Sequence, residues 1–289
     1  MARKIKRILK SKTTLEGAGV KLKRVFGARE VPMFDPFLLF DHFGSDIPDD
    51  YIKGFPWHPH RGIETVTYML SGEVEHGDSM GNKGVIKSGD VQWMTAGSGI
   101  IHQEMPKRYS GLMQGFQLWV NLPAAKKMIP PRYRGILEEQ IPTLEKEGAK
   151  IKVIAGKFDH KEGPVQDLVV DVEYLDITLE AKNTFEYTPK KGYKVFAYNI
   201  EGTGYFDDEL IGPQHCVLFD NGNVVKIKSH DKLRFLLISG SPLNEPIAWG
   251  GPIVMNTREE LEIAFQELDE GTFIKRGNSV KVARGFYQD

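Results

Sequence analysis

The sequence holds a single cysteine, Cys216, among its 289 residues. One thiol forms no disulfide within the chain and builds no cysteine cage for a metal, so the chain fits a reducing compartment, the cytoplasm. Long apolar runs are missing as well, and the charged N-terminus lacks the apolar core of a signal peptide. Neither membrane spanning nor secretion is expected. Charge of one sign is also absent in bulk: 38 basic residues meet 39 acidic ones, a formal net charge of −1. No global field draws in nucleic acid or an anionic membrane.

Charge is uneven only at the N-terminus, where residues 1–28 carry nine Lys or Arg against one acid, Glu16. These cations are interleaved with Ile5, Ile8, Leu9, Val20, Leu22 and Val25, which reads as a pair of strands with a solvated basic face rather than a nucleic-acid patch.

Glycine and proline are plentiful, and they divide residues 1–250 into many short runs rich in β-formers, the pattern of an all-β sandwich or barrel. An apolar strand is expected at 37–40, followed by strands at 63–70, 73–76, 84–87, 91–94, 100–104 and 115–122, with breaks at Ser71-Gly72, Ser88-Gly89-Asp90 and the 95–99 segment. The proline-rich segment 123–142 reads as a connector, giving two domains, 1–135 and 136–289. Near the end, Thr257 and Glu260 form a capping box, Leu261, Ala264, Phe265 and Leu268 an apolar stripe, and Gly271 a stop, so a C-terminal helix is expected.

The second half repeats the first. TYMLSGEVEHGD from Thr67 aligns with AYNIEGTGYFDD from Ala197, and VIKSGDVQW aligns with LFDNGNVVK, Gly89 falling on Gly222. The repeat reads as two copies of one β-barrel.

Residues 54–106 contain two donor pairs, His58/His60 and His102/Glu104. Side chains at i and i+2 of a strand share a face, so each pair presents two donors in one direction. Antiparallel folding brings the pairs together, and the same parity adds Glu64 as a fifth inward candidate. Three imidazoles and a carboxylate without sulfur suit Fe(II), Mn(II), Cu(II), Ni(II) or Zn(II), and a catalytic metal with open positions is preferred over a closed structural zinc. Aligned with the second copy, the donors fall on Thr188, Lys190, Phe235 and Leu237, so one metal per chain is expected. His42 reads as structural or solvent-facing, and His76, His160, His215 and His230 as surface or turn residues. Cys216 reads as buried and inert.

The segments DPFLLFDHF, HPHRGIETVTYMLSG, SGDVQWMTAGSGIIHQEMP and QLWVNLP, with SGSPLNEPI and GPIVMNT downstream, resemble the pirin family of the cupin superfamily. The resemblance covers nearly the whole chain. It implies a bicupin: two tandem jelly-roll barrels, the first holding one metal and the second degenerate. The family's iron ligands fall on His58, His60, His102 and Glu104, which demotes Glu64 to a supporting position or an alternative base. Some pirins are similar to quercetin 2,3-dioxygenases, in which a flavonol meets the metal and O2 opens its heterocycle with loss of carbon monoxide; Glu104 would then be the general base candidate. Others are iron-dependent redox-sensing regulators, which implies a transcription-related or metabolic protein partner. The resemblance thus implies a dioxygenase on flavonol-like substrates with O2, with the regulator and its protein partner as the alternative.

Overall fold

A computed structural model describes residues 1–277. The chain separates into two compact units. One comprises Met1–Lys12, Arg29–Pro36 and Glu139–Leu243; the other comprises Thr13–Ala28, Phe37–Glu138 and, among the described residues, 244–277.

The unit that carries residues 54–106 is built on a seven-stranded antiparallel sheet, in the order Arg132–Ile136, Val91–Thr95, Ile63–Ser71, Met113–Asn121, Phe37–Ser45, Val20–Phe26 and Lys12–Glu16. A four-stranded sheet, Phe55–His60, Ile100–Pro106, Val74–Asp78 and Lys83–Ile86, completes it. The other unit repeats the plan, with Ile5–Lys10, His215–Phe219, Lys194–Glu201, Leu233–Gly240, Val172–Leu179, Ala149–Ala155 and Thr143–Lys146 in the large sheet. Its small sheet runs Thr184–Tyr187, Val225–Ser229, Gly204–Phe206 and Glu209–Ile211. Each is a cupin-type barrel, and the all-β reading with a C-terminal helix holds, Arg258–Asp269 being the one α-helix among the described residues.

The sequence-based division at 135/136 differs from these units at both ends of the chain. The opening strand Ile5–Lys10 pairs with His215–Phe219 of the second-half unit, whereas residues 244–277 join the first-half unit. The basic segment is thus divided between the units: Ile5–Lys10 lies in one sheet, whereas Val20–Phe26 lies between Phe37–Ser45 and Lys12–Glu16 in the other. Alternation tells a strand's inward face but not its neighbour, which is why the exchange was not legible.

The repeat also needs correction in detail. Strand for strand, Val91–Thr95 corresponds to His215–Phe219 and Ile100–Pro106 to Val225–Ser229, so the pairing of Gly89 with Gly222 runs one strand too far. The hairpin between is the cause, spanning 74–86 in the first copy and only 204–211 in the second. The strands that stand in for those bearing the donors supply Phe185, Tyr187, Val225 and Ile227, all buried in one apolar core, rather than Thr188, Lys190, Phe235 and Leu237.

The final helix, Arg258–Asp269, starts and stops as its sequence dictates. Thr257 Oγ1 accepts from Glu260 N at 3.2 Å while Glu260 Oε2 accepts from Thr257 N at 3.1 Å. At the other end Gly271 takes φ +73°, and Thr272 N donates to Glu267 O at 2.8 Å, closing a Schellman motif. Leu261, Phe265 and Leu268 cover Ile101, Ile253 and Met255, which seats the helix against the strand that carries His102.

Candidate metal centre

Neighbouring strands of the small sheet bring the histidines together. His102 on Ile100–Pro106 lies directly opposite His58 on Phe55–His60, and Ile100 lies opposite His60. A register shift between His102 and Glu104 then aligns Glu104 with Phe55. Among the described residues, His58, His60 and His102 form the group whose ligand atoms lie within 4.8 Å of one another. Their ring centroids are 4.3 to 5.0 Å apart.

Hydrogen bonds fix how two of these rings face. His58 Nδ1 is 2.8 Å from the carbonyl of Pro56, and His60 Nδ1 is 2.9 Å from that of Pro252. A carbonyl only accepts, so each Nδ1 carries the proton and each Nε2 presents a lone pair. Those two Nε2 atoms are 3.1 Å apart. Two lone pairs held face to face repel unless an electrophile lies between or beside them. The third ring strengthens the point: His102 is fully buried with neither nitrogen hydrogen-bonded. Orphaned buried nitrogens in a cluster of neutral imidazoles are what a metal site requires. Burial pushes the His58 ring down to about 4 and His60 to about 3, with His102 well below its usual value, so all three are neutral donors at physiological pH.

Glu104 is buried close by, and burial raises its carboxyl above the usual range. Thr67 Oγ1 donates to its Oε1 at 2.9 Å and Gln117 Nε2 to its Oε2 at 3.1 Å. Glu64 goes elsewhere. Phe55–His60 ends at His60, Gly62 turns the chain with φ +77°, and Ile63–Ser71 enters the large sheet. On that strand Thr67 lines the cavity, so Glu64, three residues away, points from the opposite face, where it accepts from Thr95 Oγ1 at 2.5 Å. The expected parity through residues 58–66 fails at this turn, and with it Glu64 as a second base beside the histidines.

His76, expected at a surface or turn, is buried. Its ring lies 5.6 Å from that of His102 and 4.8 Å from that of Tyr133, Nδ1 accepts from Gln92 Nε2 at 2.9 Å, and Nε2 faces Asp78 Oδ2 at 3.3 Å. The signal was present in the alternation of Val74, His76 and Asp78 but was masked by the adjacent Gly77. His42 is buried as a structural ring, packed at a tilt with its centroid 4.7 Å from that of Phe116 and bonded to Gln114 Nε2. Cys216 is buried, its thiol pushed well up by desolvation.

A cavity of about 610 Å³ opens on this cluster; His58, His60, Glu104, Trp119 and Trp249 are among its walls. Trp119 packs edge-on to His60 with centroids 5.0 Å apart and stacks on Trp249 at 5.7 Å.

The family model described as Pirin matches residues 19–120, and that of the Pirin C-terminal cupin domain matches 174–274. A Pseudomonas aeruginosa protein named as a candidate quercetin 2,3-dioxygenase is 44% identical, over 89% of this chain and 93% of its own length. A pirin-like protein of Caulobacter vibrioides is 42% identical over 94% of this chain and 99% of its own. The crystal structure of a quercetin 2,3-dioxygenase from Acinetobacter baumannii superposes with a TM-score of 0.88 at 32% identity, covering 94% of this chain and 99% of that one. With two cupin barrels, a buried histidine triad in the first and an apolar core in the second, the chain belongs to the pirin family.

Proposed function

We propose that this chain binds one divalent metal ion, Fe(II) in first place and Mn, Cu, Ni or Zn as other occupants, through His58, His60, His102 and Glu104, and cleaves flavonols of the quercetin type with O2. The reading is supported by relatives that carry the quercetin 2,3-dioxygenase name. The observation that carries it is the cavity of about 610 Å³ whose wall includes His58, His60 and Glu104. It has the size of a small-molecule site, and aromatic side chains dominate around the donors.

When bound, the ion supplies Lewis acidity toward a 3-hydroxy-4-oxo pair and a redox partner for O2. The chain supplies the rest. Neutral rings held by the Pro56 and Pro252 carbonyls keep their Nε2 lone pairs aimed at the ion's position. Thr67 and Gln117 hold the Glu104 carboxylate, whose burial raises its affinity for the proton leaving the flavonol 3-hydroxyl. Trp119 and Trp249 give a flat aromatic wall that excludes water and stacks on the substrate rings. In the overall reaction both atoms of O2 enter the product, the heterocycle opens, and one ring carbon leaves as carbon monoxide. A cytoplasmic setting suits the unpaired Cys216, and no helix among the described residues is long and apolar enough to cross a membrane.

The test is to load the protein separately with Fe(II), Mn(II) and Cu(II), add quercetin without oxygen, and then admit O2. Oxygen uptake matched by carbon monoxide release is expected; no uptake and no carbon monoxide with any of the three overturns the proposal.

A further inference from the structure

One row of inward side chains crosses the large sheet beneath the cavity. Gln117 pairs with Thr67 on one side and Asp41 on the other, and Asp41 pairs in turn with Arg24. All four line the cavity that holds His58, His60 and Glu104. The rows on either side are apolar where they line it: Trp119 pairs with Leu39, and Phe43 pairs with both Gly115 and Leu22. A single polar stripe thus runs along the floor of the chamber between apolar rows.

The two ends of the stripe differ in chemistry. At the near end Thr67 and Gln117 are occupied with Glu104. At the far end Arg24 Nε and NH2 donate to the two oxygens of Asp41 at 2.9 and 2.8 Å, and NH1 donates to Glu16 Oε1 at 2.7 Å. Ionised, this group has two carboxylates to one guanidinium, so it keeps a net negative charge and unused lone pairs where it meets the cavity. Two strand spacings separate Gln117 from Arg24, about 10 Å at the usual distance between strands. That is the scale of a two- to three-ring aromatic molecule lying along the row.

We infer that Asp41, Arg24 and Glu16 form a subsite for a hydroxylated aromatic ring, with the two carboxylates accepting hydrogen bonds from its phenolic hydroxyls while the apolar rows hold its faces. The inference rests on the proposed reading of the cavity as the substrate chamber and specifies which phenols it takes. Ligands bearing hydroxyls at the end remote from the chelating pair are selected. Ligands bare there leave the stripe unsatisfied, and those carrying an anion there are repelled.

Quercetin and 3-hydroxyflavone share the 3-hydroxy-4-oxo pair, but only quercetin carries further ring hydroxyls. Their dissociation constants can be measured without oxygen on the metal-loaded protein, by quenching of tryptophan fluorescence and by calorimetry. Quercetin is expected to bind at least about tenfold tighter, the equivalent of one hydrogen bond to a charged group, against the trend of hydrophobicity. Glu16→Gln and Asp41→Asn are each expected to shrink that ratio to within about threefold. Asp41 is buried and its loss can unsettle the sheet, whereas Glu16 is partly exposed and its variant is expected to fold normally. Equal affinities in the wild type, or an undiminished ratio in a folded Glu16→Gln protein, overturns the subsite. Oxygen uptake with both ligands at equal affinity would retain the enzyme and sink the subsite. A hydroxyl-dependent ratio that Glu16→Gln abolishes, without oxygen uptake, would retain the subsite and sink the enzyme.

Discussion

His58 and His60 face each other through unprotonated Nε2 atoms 3.1 Å apart, each ring held by a backbone carbonyl on its far side. Two lone pairs so placed repel, which makes the cluster sensitive to acid. Protons would relieve the repulsion, but burial opposes them.

Burial holds His58 at about 4, and His60 and His42 at about 3, against about 6.5 for an unfolded histidine. Between those values the unfolded chain binds more protons than the folded one, so stability falls as pH falls. The contribution is intact above about pH 6.5 and is lost progressively toward about pH 4 and below, at no more than about 1.4 kcal/mol per ring per pH unit. Urea titrations of the metal-free protein at pH 7.5, 6 and 5 should show a steadily lower midpoint. A midpoint flat across that range would contradict the buried neutral rings.

Glu104 depends on its two donors. Replacing Thr67 with Val removes the hydroxyl 2.9 Å from Oε1 and leaves the buried strand otherwise filled. Metal affinity is expected to drop by about 10- to 100-fold, the usual effect of losing a group that orients a ligand. Gln117→Leu, on the other oxygen, should act similarly. Competition with a calibrated chelator measures both, and unchanged affinity in the two variants would mean that Glu104 does not bear on the metal.

Much of this was readable from residue order. The i, i+2 spacing of His58 and His60, the spacing of His102 and Glu104, and the capped final helix all follow from local periodicity, which a strand or helix translates directly into a face. What was not readable is non-local. Pro252 reaches His60 across nearly two hundred positions, and the Asp41–Arg24 pair joins the chamber only through strand register. Glu64 misled because parity holds only while a strand continues, and Gly62 ends it.

Arg61, beside His60, anchors the C-terminal segment. Its Nε donates to Ser98 O at 2.9 Å, and its NH2 donates to Phe273 O at 3.0 Å and to Glu267 at 2.6 Å. The guanidinium carbon also lies 4.2 Å from the centre of the Phe273 ring. With the side chain only 2% exposed, Arg61→Ala leaves two buried carbonyls, those of Ser98 and Phe273, without this donor, and leaves Glu267 with Lys275 alone at 2.7 Å. A loss of about 3–5 kcal/mol is expected in denaturant unfolding, and a loss below about 1 kcal/mol would show the pair to be worth no more than a surface one.

A tight turn at Gly62 separates His60 from Glu64. Gly62 has φ +77°, a region that side chains with a Cβ rarely adopt, and its amide donates to Gly97 O at 2.9 Å. A Cβ added there would collide with the carbonyl of Val254 and approach Lys127 Nζ at 3.3 Å. Lys127 is buried and ties this knot together, donating to Gly62 O at 3.0 Å, Val254 O at 2.9 Å and Asn121 Oδ1 at 2.7 Å. Two residues before Val254 is Pro252, whose carbonyl orients His60. Gly62→Ala therefore strains the turn and pushes the Pro252 segment off His60 at once. It is expected to cost about 2–4 kcal/mol in stability and to weaken metal binding beyond what lower stability explains. Measuring metal affinity well below the unfolding transition separates the two effects: a destabilised protein with unchanged affinity would mean that the Pro252 carbonyl is not what holds His60 in place.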